Sequence, residues 1–224
     1  MTRFHDAHSH ALLDQEGGLF IGLEGKPVFP GVTTNEAAGR LEDPVRLRFA
    51  VEYIPAGRSR GTRALLKYHP RRERYSPEYV KASIRESGPR LCIIDTLNQP
   101  YWKPGDYWDI ACEFPGIQFI FCHAGGYDIL DFLKMADFTP NVWIDFSLTQ
   151  EYFGWCGDRP RFGHVCDCID FGLACARIKR KVMFGSDEPF FSQSKALEKY
   201  ESLADRDLFL VENYVSLLQA AHLV

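Results

Sequence analysis

Short apolar runs recur along the chain and alternate with amphipathic stretches. The runs 3–8, 47–54, 63–68, 90–94, 117–122, 141–144 and 181–184 are rich in branched and aromatic residues, and each predicts a strand. A further strand over 28–32 is disfavoured by Pro27 and Pro30, because proline offers no N–H to a ladder. Between the runs lie helix signals. Ser76 ahead of Pro77 is a cap followed by proline at the first helical position, and Gly88-Pro89 ends that helix. Further helices are predicted over 106–113, 127–136, 164–178, 192–204 and 206–222.

Strands alternating with helices imply a parallel sheet covered by helices. No glycine-rich phosphate loop follows the first run, which weighs against a nucleotide-binding open sheet. The expected fold is therefore α/β: a compact or trimmed TIM-like (β/α) barrel, since a full set of eight units usually takes ~250 residues. The stretch between His10 and Leu47 is too short and too rich in glycine and proline for two full units, so the early strands should be the irregular ones. Without a repeat, low-complexity tract or linker, residues 1–224 read as a single domain.

Composition narrows the function. The chain has 224 residues, 46% hydrophobic and 14% aromatic, enough for a large core. A net charge of -4 and a pI near 6.0 weigh against nucleic acid. No run approaches the ~20 apolar residues of a membrane span, and no signal pattern opens the chain. The expected location is cytoplasmic, and the seven cysteines suit a reducing compartment, with Cys92 and Cys122 as buried thiols. Cys156, His164, Cys166 and Cys168 form a weak candidate zinc cluster, lacking a second C-x-x-C pair. The basic cluster 58–74, with Lys67 inside it, is either a solvated loop or a site for an anionic substrate.

The chemistry gathers at the strand ends. Asp6, His8 and His10 alternate, so on a regular strand they share one face. Two imidazoles on one face form half of a divalent metal site, with Asp6 expected to orient their rings. The later runs end in His69, Asp95, His123, Asp145 and, after Gly185-Ser186, Asp187. In a parallel barrel all these ends open on one face. Asp187 is placed to bind the metal or to take a proton from a water. His123, followed by Ala124-Gly125-Gly126, suits a general acid or an oxyanion holder, the glycine pair letting a substrate come close. His69, Asp95, Asp145 and Lys67 are further candidates for ligation or substrate binding. The apolar run before Asp95 predicts a buried carboxylate in the pocket, relieved by a metal, His69 or Lys67; the alternative is a helix cap over Asn98.

These motifs resemble the amidohydrolase superfamily, in the amidohydrolase-related (amidohydrolase 2) branch that includes aminocarboxymuconate-semialdehyde decarboxylase-like and lactonase enzymes. The likeness rests on Asp6-Ala7-His8-Ser9-His10, Leu66-Lys67-Tyr68-His69-Pro70, His123-Ala124-Gly125-Gly126, Phe184-Gly185-Ser186-Asp187-Glu188-Pro189, and a terminal helix with Asn213 and Leu217-Leu218. The resemblance implies that His8, His10 and Asp187 bind one divalent metal ion, zinc or else manganese. It also implies that Asp187 accepts a proton and that His123 is the catalytic histidine. Members carry a histidine ligand at the end of strand five, where this chain has Asp95; either Asp95 replaces it, His69 swings in, or the metal site is weakened. No bridging lysine or glutamate stands out.

The function implied is a metal-dependent hydrolase acting on a small carbonyl compound (a lactone, amide or ester) through a metal-activated water. The alternatives are a non-oxidative decarboxylase of a small unsaturated or aromatic carboxylate and a non-catalytic metabolite-binding relative. The expected partner is a small-molecule substrate, with no nucleic acid and no membrane; a homodimer stays open.

Overall fold

A computed structural model describes residues 3–11, 17–24, 30–156 and 162–224. Its strands run parallel and in chain order, each hydrogen-bonded to the next: β1 (His5–Ser9), β2 (Gly17–Ile21), β3 (Arg48–Tyr53), β4 (Leu65–Tyr68), β5 (Leu91–Asp95), β6 (Gln118–Cys122), β7 (Val142–Asp145) and β8 (Val182–Met183). The chain around and after β8 meets β1 again. Ala7 N–H donates to the Phe184 carbonyl at 2.9 Å, Asp187 N–H to that of His8 at 2.8 Å, and His10 N–H to that of Glu188 at 2.8 Å. These bonds curl the sheet into a nearly closed TIM-like (β/α) barrel.

Strand β2 is a correction to the sequence reading, which found no strand there. Its two leading glycines argue against a strand locally, yet they are what lets this one form. A Cβ on Gly17 would lie 2.4 Å from His5 Nδ1 and 2.8 Å from the Arg46 carbonyl oxygen, so only glycine fits between β1 and β3. The doubtful strand over 28–32 falls partly outside the described residues; residues 30–32 are turn and coil. The early part is irregular, as expected. The β1–β2 register shifts between Asp6 and Ser9, and the helix between β2 and β3 is the five-residue α1 (Asn35–Gly39).

The later helices are α2 (Pro70–Glu73), α3 (Pro77–Ser87), α4 (Pro104–Glu113), α5 (Ile129–Phe138), α6 (Thr149–Tyr152), α7 (Gly163–Ala174), α8 (Gln193–Glu201) and α9 (Asn213–Ala220). Ser76 Oγ caps α3 by accepting the Tyr79 N–H at 3.2 Å, and Gly88 ends it at φ +60. A π-helical turn, Leu208–Glu212, leads into α9, so the predicted terminal helix is one element with a wider first turn. None of the described helices is long and apolar enough to cross a membrane.

Two apolar layers follow from the period of two. Outward residues such as Leu66, Ile94, Phe121 and Ile144 pack under Val80, Ile84, Ile110 and Phe132 of the helices. Inward residues Leu19, Ile21, Phe49, Val51, Leu65, Leu91, Ile93, Ile120 and Met183 fill the barrel, and Tyr214, Leu217 and Leu218 of α9 close its N-terminal end. Each such side chain contributes about 1.5–3 kcal/mol on burial. Because the lower barrel is filled this way, the inward polar residues Lys67, Asp95 and Cys122 stand at its C-terminal end.

Candidate active site

A cavity of about 500 Å³ opens at the C-terminal ends of the strands. His8, His10, Lys67, His69, Asp95, His123 and Asp187 all line it, with Arg71, Arg72, Leu23, Leu148, Phe190 and Phe191 around them. Seven of the nine strand-end residues singled out from sequence thus converge; Asp6 and Asp145 do not line the cavity.

His8 and His10 reach the cavity through Nε2. The two Nε2 atoms are 3.3 Å apart, and Asp187 Oδ1 lies 3.4 Å from the first and 3.6 Å from the second. Their other nitrogens are anchored: His10 Nδ1 bonds the Ile21 carbonyl at 3.0 Å, and His8 Nδ1 meets Ser147 Oγ at 2.9 Å with Asp145 Oδ2 at 3.5 Å. Burial, then His8 and Lys67, hold the His10 pKa well below 6.5. Burial and Lys67 also oppose charge on His8, but Cys122 and Asp145 outweigh them and push it up to about 9.

Asp6 does not orient the rings. Its carboxylate accepts from Ser186 N–H (3.1 Å), Ser186 Oγ (2.6 Å), Gln193 Nε2 (2.7 Å) and the His8 backbone N–H (3.0 Å). The register shift between Asp6 and Ser9 breaks the alternation that would have placed it behind the imidazoles. Asp6 instead clamps β1 to the segment carrying Asp187. Burial outweighs these hydrogen bonds and raises its pKa to about 6. The ring-holding role falls to Ser147 and Asp145, a pairing sequence reading missed. Its only signal is the spacing Asp145-Phe146-Ser147 at a strand end.

His123 faces the cavity from across. Its Nδ1 lies 2.8 Å from the Ser147 carbonyl and its Nε2 3.2 Å from Asp95 Oδ2. Asp95 also meets Arg71 at 3.3 and 3.4 Å and His69 Nε2 at 3.5 Å. Against burial, His69, Arg71 and His123 hold the Asp95 carboxyl well below the usual carboxylate range. Burial also disfavours a charged His123, but Cys122 and Asp95 overcome it and raise its pKa well above 6.5. Asp95 therefore points into the pocket, as expected, and is no cap over Asn98, whose amide instead donates to Asp128 at 2.7 Å and accepts from Tyr127 N–H at 2.6 Å. His69 is drawn to Asp95 and away from the two N-terminal histidines, its pKa lowered by burial to about 3.

Lys67 stands out more than its sequence suggested. Its side chain is buried, with Nζ 3.4 Å from His8 Nε2 and 2.8 Å from Cys122 Sγ. The glycine pair does not border the cavity. A Cβ on Gly125 would meet Phe132 Cδ2 at 2.1 Å and one on Gly126 would meet Asn98 Oδ1 at 2.5 Å, both at positive φ, so the pair makes a tight turn and not a landing place. The basic cluster divides: Arg58 pairs with Glu52 and Arg63 with Glu42, whereas Lys67 and Arg71 face the cavity. Among the described residues, the groups of possible ligand atoms within 4.8 Å are His8/His10/Asp187 and His8/Cys122/His123, so Cys156, His164, Cys166 and Cys168 are not brought together. His123 (φ 68), Leu148 (φ 60) and Asp187 (φ 62), all on the cavity, hold left-handed backbone that non-glycine residues rarely adopt.

An eight-stranded parallel barrel with titratable side chains gathered at its C-terminal mouth is the framework of an enzyme. The chain belongs to the amidohydrolase family (Amidohydro_2), whose model matches residues 36–214. That family is one of enzymes. The match begins after β1, so the barrel, and not the match, joins His8 and His10 to Asp187. Solved structures share the fold at low identity. An uncharacterised TIM-barrel protein from Bordetella bronchiseptica superimposes with a TM-score of 0.64 at 16% identity, covering 93% of this chain and 79% of that one. An amidohydrolase 2 from Bifidobacterium longum subsp. infantis gives 0.57 at 15%, covering 98% of each. A probable 2-pyrone-4,6-dicarboxylic acid hydrolase from Acinetobacter baumannii, with citric acid bound, gives 0.50 at 13%, covering 97% and 100%. Among curated proteins nothing matches.

Proposed function

We propose that this chain is a metal-dependent hydrolase that acts on a small carbonyl compound such as a lactone, amide or ester. The observation that carries the reading is the spacing of three donor atoms. A tetrahedral zinc site with bonds of ~2.1 Å has ligand atoms ~3.4 Å apart. His8 Nε2, His10 Nε2 and Asp187 Oδ1 are 3.3, 3.4 and 3.6 Å from one another. The residues present fit the ion, and nitrogen donors with a single carboxylate favour zinc over a harder cation, with manganese the second candidate. When bound, a divalent ion supplies Lewis acidity, polarising a carbonyl and acidifying a water.

The chain's own groups supply the rest. Asp187 has a second oxygen with which to take a proton from an attacking water. His123, whose protonated form Cys122 and Asp95 favour, donates a proton to the leaving oxygen or nitrogen, or steadies an oxyanion. Lys67 and Arg71 face the cavity and suit a carboxylate on the substrate, and Phe190, Phe191 and Leu23 give it apolar walls. That pair of cations also favours a second reading, non-oxidative decarboxylation, in which His123 delivers a proton to carbon. A panel of lactones, esters, amides and unsaturated or aromatic carboxylates, given to zinc-loaded protein, separates the two. Acid release without carbon dioxide is expected; carbon dioxide release selects the second reading, and no turnover with either set contradicts both.

A further inference from the structure

Lys67 and Cys122 are both buried, and they meet near the mouth of the barrel because β4, β5 and β6 are neighbours. Lys67 Nζ lies 2.8 Å from Cys122 Sγ, a separation ordinary for nitrogen and oxygen and short for the larger sulfur. Among the described residues no carboxylate comes within 4.0 Å of Lys67. A buried ammonium needs a partner, and the thiol is the acidic group seated against it. The cation in turn favours the thiolate, the form of cysteine that oxidants attack.

No second thiol stands by to form a disulfide. All the cysteines are free, and Cys122 alone among them lies in the inward-facing apolar layer, with Cys92 in the outward one across the sheet. An oxidised Cys122 therefore has the Lys67 nitrogen as its reactive neighbour. Lys67 lines the cavity, whereas the sulfur has no exposed surface. What reaches the pair must be small: hydrogen peroxide or dioxygen, and not a bulky disulfide.

We propose that Lys67 and Cys122 are a redox modification site, at which a small oxidant joins Nζ to Sγ through one oxygen atom. A first peroxide forms the S–O bond as its O–O bond breaks, giving the sulfenic acid and one water. A second forms the N–O bond between Nζ and that oxygen as its own O–O bond breaks, and the displaced N–H and O–H protons leave in two waters. Sulfur and nitrogen each lose two electrons, and the two peroxides take up the four. With dioxygen in place of peroxide, one oxygen atom enters the bridge and the other leaves as water. Four equivalents of a thiol restore the amine and the thiol, with one water and two disulfides. A nitrogen that carries oxygen is a weak base, so the cavity loses a cation 3.4 Å from His8 Nε2, and β4 is tied to β6 across β5. Neither the metal nor the hydrolase reading is needed for this chemistry.

The test is mass spectrometry of purified protein treated with two equivalents of hydrogen peroxide and digested without reductant. The expected product joins the peptide holding Lys67 to the one holding Cys122, at the sum of their masses plus one oxygen less two hydrogens. Fragmentation should place the link on Cys122 and not on Cys92 or Cys112. Dithiothreitol should release both peptides unmodified, and Cys122→Ser and Lys67→Gln should give no such product. A Cys122 found as untouched thiol or as sulfinic or sulfonic acid, with the Lys67 peptide unlinked, overturns the proposal. So does a link at the summed mass less two hydrogens, which is a direct sulfur–nitrogen bond. The wild-type spectrum decides the matter even if a variant fails to fold. No turnover is measured, so failure here leaves the hydrolase reading standing, and failure of that reading leaves the bridge standing.

Discussion

Asp95→Ala should lower stability and shift the pH dependence together. The carboxylate is buried and faces three partners: Arg71 at 3.3 Å, His123 at 3.2 Å and His69 at 3.5 Å. Removing one member of a fully buried ion pair costs about 3–5 kcal/mol. The Arg71 side chain is 39% exposed and recovers water, so its share shrinks to about 0–1 kcal/mol. His123 and His69 are buried but can shed a proton, which limits their cost. About 2–4 kcal/mol remains, and at about 2–4 °C per kcal/mol for a domain of this size the melting temperature should fall by about 4–16 °C. Loss of the anion also lets the His123 pKa drop. A rate that needs the imidazolium is then lost at lower pH than in the wild type, so the alkaline limb of kcat moves towards acid. Asp95→Asn, which keeps the volume, should show the pH shift with a smaller loss of stability. Calorimetry and a pH–rate profile on the same preparations check this. A melting temperature and an alkaline limb both unchanged in Asp95→Ala would refute the argument.

Asp187→Asn should lower kcat on the order of 10² or more with the fold intact, because asparagine tolerates the φ of 62 found there; turnover and circular dichroism decide it. His123→Ala should depress kcat more than metal content, and loss of metal in parallel with activity would make His123 a ligand. His5, whose ring nitrogens have no hydrogen-bond partner, has its pKa lowered by burial and then by Arg3 to about 4. It is neutral in the folded chain, so its contribution to stability is complete above 6.5 and is lost as pH falls from 6.5 towards 4. Denaturant unfolding of His5→Phe at about pH 7 and about pH 5 should show a smaller acid loss than the wild type.

Much of this molecule was legible because the period of two and the strand-end residues depend only on local sequence. The runs ending in His69, Asp95, His123, Asp145 and Asp187 were visible one by one, and a parallel barrel has a single face where they can meet. What stayed hidden depends on contacts between distant segments. Gly17 reads as a strand breaker until His5 and the Arg46 carbonyl are seen to need its missing Cβ. Asp6 looked like a partner for the imidazoles because regular alternation was assumed, and the register shift in β1 sends it to Ser186 and Gln193. Cys122 read as an ordinary buried thiol inside an apolar run. Only the β4–β5–β6 order brings Lys67 onto its sulfur, from fifty-five positions away.

His8, His10 and Asp187 are the proposed holders of a divalent metal. Crystals of the protein grown with zinc, with diffraction data collected on both sides of the zinc absorption edge, test that assignment most directly. One strong anomalous peak is expected, bounded by His8 Nε2, His10 Nε2 and the Asp187 carboxylate and lost in His8→Ala. A map with no peak there, or with its peak at Cys156, Cys166 or Cys168, would contradict it.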